Sequence, residues 1–165
     1  MAGQTISRPA ARAEPLSRSL LLAAAAVQGV RAGRALDDAL AQARQQSSNP
    51  GAVHDLAAHG VRHLALGQAL LAQAAPRPPA EPANSLLCLA LTLLAAAPDK
   101  YGEHTLVSQA VDAIAALPGG QRIRGFANAV LRGFLRERDG ALARVMVDPA
   151  CAYGHPAWWV DRLKA

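Results

Sequence analysis

A chain of 165 residues can close a core without disulfides or a structural metal, and this one is 52% hydrophobic but only 4% aromatic. Alanine and leucine, strong helix formers, supply most of the apolar content, while the β-branched and aromatic residues that favour strands are scarce. The net charge is +5, and Cys88 and Cys151 form no CxxC pair, which excludes a disulfide framework and the common zinc spacings and fits a reducing cytoplasm.

Residues 1–13 lack an apolar period and read as a mobile tail. Arg12 and Arg18 ahead of the apolar run 20–27 resemble a secretory leader. However, Glu14 interrupts the charged part and Arg31 and Arg34 follow closely. The run is also far shorter than the ~20 residues of a membrane span. It reads instead as a buried first helix over 15–28, with Pro15 in its first turn and Gly29 as its stop. A second helix over 35–44 buries Leu36 and Leu40 and exposes Asp37 and Asp38. Residues 45–51 are a loop by their turn residues.

A long third helix is expected over 53–74. Leu56, Gly60, Leu64, Gly67 and Leu71 share one face at steps of three and four, and the two glycines on it imply close approach of another helix. The proline-rich stretch 76–82 cannot continue a helix and divides the chain into two helical halves that share one core. The fourth helix, 84–97 with Asn84 as cap, is leucine-rich on every side and belongs at a bundle's centre. A turn at 98–102 precedes a fifth helix over 103–117, which buries Leu106, Val107, Ala110, Val111 and Ile114. The sixth spans 122–138 and a short seventh 141–147. A last short helix covers 156–163. No stretch reads as a strand.

The charge is unevenly placed. Residues 122–144 carry Arg122, Arg124, Arg132, Arg136, Arg138 and Arg144 against Glu137 and Asp139, which accounts for +4 of the +5. At about 100° per residue, Ile123, Phe126, Ala127, Val130, Leu131 and Phe134 form a buried stripe. Arg122, Arg132 and Arg136 form the opposite ridge, with Arg124 and Asn128 flanking the stripe. A guanidinium fork matches phosphate oxygens, and a local positive patch is the footprint of a nucleic-acid binder. A solvated polar face and a protein-docking face fit the same residues. The candidate set for contact with RNA or DNA is therefore Arg122, Arg124, Arg132, Arg136 and Asn128. Within it, Asn128 is expected to hydrogen-bond a neighbouring helix more than RNA.

The stretch Arg124-Gly125-Phe126-Ala127-Asn128-Ala129-Val130-Leu131-Arg132-Gly133-Phe134-Leu135-Arg136-Glu137 resembles the RxFVNAVLRRFLRE signature of the NusB-like domain. That domain stands at the N-terminus of bacterial rRNA cytosine-5 methyltransferases of the Sun, or RsmB, family. Residues 104–111, HTLVSQAV, resemble its AHTxVNQAVE segment, with Ser108 at a frequent Asn and Asp112 at the Glu. Residues 155–163, HPAWWVDRL, resemble the HPxWLLKRL segment that leads towards the catalytic part. The third helix departs at His63, where the family often has arginine.

The resemblance implies an all-α fold of about seven helices in two packed sub-bundles, with the NusB-like domain over 14–148 and the start of a linker over 149–165. It implies ribosomal RNA as partner, positioned for a downstream methyltransferase domain that uses S-adenosylmethionine. The expected protein is cytoplasmic, not membrane-bound, and monomeric. The chain reads as a piece that stops short of that catalytic domain.

No catalytic residue, cofactor site or metal site is assigned within it. A cytosine-5 methyltransferase needs a Gly-rich loop after a strand and a cysteine nucleophile. Gly119-Gly120 follows no strand, and Pro149-Ala150-Cys151 has an alanine inserted into a Pro-Cys pair. His54, His59, His63, His104 and His155 form no HExxH, so the His59/His63 pair is set aside as a metal site. The alternative is a stand-alone transcription antitermination factor of the NusB kind, an adaptor of RNA and protein. The HPxW segment separates the two, because a stand-alone factor needs no lead towards a catalytic domain.

Overall fold

The computed structural model describes residues 13–164, and the described residues contain helices and no strand. In chain order they are α1 (Leu16–Arg31), α2 (Leu36–Gln45), α3 (Pro50–Arg62), α4 (Leu64–Ala74), α5 (Ala83–Ala96), α6 (Glu103–Ala115), α7 (Arg124–Arg136), α8 (Arg138–Val145), α9 (Pro149–Tyr153) and α10 (Ala157–Lys164). A 3-10 turn, Gly120–Ile123, leads into α7. The expected tail over 1–13 lies outside the described residues except for Ala13. No described helix is long and apolar enough to cross a membrane.

The all-α expectation holds, with boundaries that differ for local reasons. Gly29 does not stop α1. It lies inside the helix, where a Cβ would meet that of Ala39 at 3.0 Å, so it is a packing glycine. The stop comes at Gly33, φ +92°, a left-handed conformation that glycine adopts without steric cost. The Arg34 N–H reaches back to Gly29 O and the Gly33 N–H to Val30 O. Together these bonds make a Schellman termination. In α3, Pro50 is the first helical residue and not part of a loop, because Asn49 Oδ1 accepts the Ala52 N–H at 3.2 Å. Asn84 is not the cap of α5 but lies in its first turn. Glu81 accepts the Ser85 N–H instead, while Arg31 ties Glu81, Asn84 and Ser85 to the end of α1.

The expected third helix is broken at His63, whose backbone (φ −107°, ψ 23°) belongs to neither α3 nor α4. The break redirects the chain. Before it, α3 packs on α1, α2 and α5; after it, α4 packs on α5, α7, α8 and α9. The seam between the sub-bundles therefore falls at His63, not at the proline stretch. On α4, a Cβ at Gly67 would meet the backbone oxygen of Cys88 at 2.7 Å, so α4 and α5 approach backbone to backbone, as the paired glycines implied. The leucine-rich α5 lies at the centre, against α1, α3, α4, α6 and α7.

The segment α9–α10 folds back onto the bundle. Asp148 caps α9 through the Ala150 N–H at 2.8 Å, α9 packs on α4, and Cys151 and Val160 are buried. This five-residue helix has no apolar period of its own to announce it.

Candidate nucleic-acid interface

Packing of α6 against α7 places the charged cluster. In α7 the residues Ala127, Val130, Leu131 and Phe134 are buried, as the stripe requires. Phe126 is not, being 37% exposed. It sits at the margin of the stripe and lines an apolar cleft of about 360 Å³ with Leu70 of α4 and Ala141 of α8. Arg122 lies in the 3-10 turn and not in α7, so its helical angle does not apply, although its side chain remains exposed. Gly120 makes that turn possible: a Cβ there would fall 1.8 Å from Ile114 O.

Between α6 and α7 runs an open groove of about 540 Å³. Its α6 wall carries His104, Ser108 and Asp112, one residue per turn. Its α7 wall carries Arg124, Asn128 and Arg132, again one per turn. Arg132 Nε donates to Asn128 Oδ1 at 3.0 Å, an i,i+4 pair on one helix. Asn128 thus braces an arginine of its own helix, where a bond to a neighbouring helix was expected. Arg124 Nη2 reaches Asp112 Oδ1 across the groove at 3.4 Å.

The six arginines of the cluster divide by their surroundings. Arg138 is structural: half-buried, with Nη2 2.6 Å from Glu103 Oε1 and its guanidinium 5.8 Å from the Phe134 ring centroid. That pairing is ionic, without an aligned N–H···O bond. Arg144 faces Glu137 at 3.7 Å. Among the described residues no acid pairs with the exposed Arg122, Arg132 or Arg136. The structure gathers Arg124, Asn128 and Arg132 in the groove and leaves Arg122 and Arg136 outside its lining. Sequence reasoning missed His104, Ser108 and Gln121 as groove residues. The four-residue spacing of 104, 108 and 112 was the available signal.

Both cysteine thiols are held above their ordinary value. Burial pushes the Cys88 thiol up to about 11, and burial followed by the Asp148 charge raises Cys151. Among the described residues no three His, Cys, Asp or Glu side chains converge as metal ligands.

No protein-family model matches the chain. Two curated proteins are similar to it over 61 residues, 37% of its length. They are ribosomal RNA small subunit methyltransferase B of Vibrio cholerae, 39% identical, and the protein of the same name from Pasteurella multocida, 44% identical. The matched stretch spans only 14% and 13% of those proteins. The family resemblance carried by the α6, α7 and α10 motifs agrees with these relatives.

Proposed function

We propose that this chain is the RNA-binding part of an rRNA cytosine-5 methyltransferase, and that it positions ribosomal RNA for a downstream catalytic domain. The observation that carries this reading is the α6–α7 groove, with Arg124 and Arg132 on one wall and acid-free Arg122 and Arg136 outside its lining. Similarity to two proteins named rRNA methyltransferases supplies the chemical context. It favours this reading over the stand-alone antitermination factor. S-adenosylmethionine would be held by the catalytic domain. In this role the protein works in the cytoplasm as a monomer.

Exposed arginines beside a groove suit phosphate contacts, which fix the position of an RNA strand without reading its sequence. Replacing Arg122, Arg132 and Arg136 together by alanine should therefore weaken all RNA sequences about equally. For a single strand it should flatten the dependence of log affinity on log salt by about 0.7 per lost contact, roughly 2 in all. Fluorescence anisotropy with transcribed small-subunit rRNA fragments, across a salt series, measures both. An unchanged affinity and slope in a folded triple variant would make the ridge a solvated or protein-docking face.

A further inference from the structure

The two arginines of the groove have different counter-groups. Arg132 is braced by a neutral amide, Asn128 Oδ1 at 3.0 Å, which orients the guanidinium and leaves its full positive charge. Arg124 faces a carboxylate, Asp112 Oδ1 at 3.4 Å. That carboxylate stands on the opposite wall, so the contact spans the space a strand would occupy. Both partners of this pair are about half exposed (53% and 47%). Water and ions therefore reach the contact, and a phosphate oxygen can compete for the same N–H groups. A long, half-exposed ion pair is weak, and its partner can be exchanged.

We propose that Asp112 is a gate on the groove: it neutralises Arg124 in the free protein and must yield it to an incoming RNA phosphate. This inference rests on the RNA-binding reading and adds to it a residue that sets the groove's affinity. Arg132 is always available, whereas Arg124 is conditional. The free groove then presents less positive charge than its arginines suggest. A strand that fails to place a phosphate at Arg124 gains nothing to offset the carboxylate beside it.

The test is a cycle of four 165-residue chains: the parent, Asp112→Asn, Arg124→Ala and the double variant, each bound to fluorescent small-subunit rRNA fragments across a salt series. Asp139→Asn, at an exposed position on α8 outside the groove lining, controls for loss of a negative charge in general. Asp112→Asn should tighten binding about two- to fivefold, the strength of an exposed ion pair. It should also steepen the salt slope by up to about 0.7. The gain should vanish in the Arg124→Ala background and be absent from Asp139→Asn. Overturning outcomes are an unchanged or weakened affinity of Asp112→Asn, a gain that survives without Arg124, or an equal gain in Asp139→Asn. Weakened binding would make Asp112 a residue that orients Arg124 for its ligand. A folded parent that binds none of the RNAs overturns the RNA reading itself, and the gate with it.

Discussion

At the break between α3 and α4, the rings of His59 and His63 pack together with centroids 4.6 Å apart and planes tilted by 45°. A carbonyl only accepts, so the His59 Nε2 contact to Thr92 O at 3.2 Å requires the Nε2–H tautomer. Burial holds both imidazoles below their ordinary value. For His59 the Thr92 contact opposes this, and Lys100 and Arg62 add to it; for His63, His59 itself and Arg62 add to it. In the folded state both rings therefore stay neutral below the pH at which unfolded histidine, ordinarily 6.5, takes up a proton. In that window the unfolded chain binds more protons, so stability is present above 6.5 and is lost as pH falls towards the folded-state values. Urea midpoints should drop between pH 7 and pH 5 in the parent. They should drop less in a variant with both His59→Gln and His63→Gln, and equal drops would remove these rings from the acid limb. The i,i+4 spacing of the pair was legible in the sequence. What was not legible was the use of that spacing for a tilted ring pair against a carbonyl of α5, because the position of α5 depends on the break at His63.

The helices show which patterns a period reveals and which it hides. A residue period passes unbroken through His63 although the helix does not: the His63 N–H still bonds His59 O and the Gly67 N–H bonds His63 O, yet His63 itself belongs to neither helix. Nothing in the spacing of Leu56, Gly60, Gly67 and Leu71 marks the change of direction between them. The same limit applied at α7, where a constant turn per residue placed Arg122 on the ridge although residues 120–123 tighten into a 3-10 turn. The groove itself depends on two helices, and each wall was periodic in sequence, but their pairing is tertiary. Glycines make the distinction measurable. A Cβ at Gly67 would meet Cys88 O at 2.7 Å and Thr92 Cγ2 at 2.8 Å, whereas one at Gly133 would meet only the flexible tip of Arg136 at 3.7 Å. Gly67→Ala should therefore destabilise by about 1–3 kcal/mol, as overpacking does. Gly133→Ala, in the same kind of helix interior but with room for a Cβ, should stabilise by about 0.5–1 kcal/mol through backbone entropy alone. Urea denaturation of the two variants decides this, and a shift of the same sign in both would refute it.

On the scale of the whole molecule, the two sub-bundles share α5 and also meet where α1 packs on α6, so they cannot be separated without exposing both contacts. The leucines all round α5 made its central place legible from sequence. Which helices it joins was not, because the proline stretch looked like the division and the true seam lies at His63. Eleven of the 14 residues of α5 are buried, and the helix touches α1 and α3 on one side of the seam and α4, α6 and α7 on the other. Opening either sub-bundle would leave an apolar helix half solvated, at about 25 cal/mol per Å² of apolar surface. The partly opened states should therefore lie close in free energy to the fully unfolded one, and unfolding should be two-state. Leu89 offers a demanding test. Its Cδ1 lies where a Cβ on Gly60 of α3 would approach to 2.8 Å, so it belongs to the first sub-bundle's side of α5. Leu89→Ala should cost about 2–5 kcal/mol. If the halves are coupled through α5, native-state hydrogen exchange should report that same loss for the amides of α2, in the first sub-bundle, and of α7, in the second. Protection lost in α2 and retained in α7 would instead show two units that open independently. The groove on α6 and α7 would then keep its shape when the first sub-bundle melts.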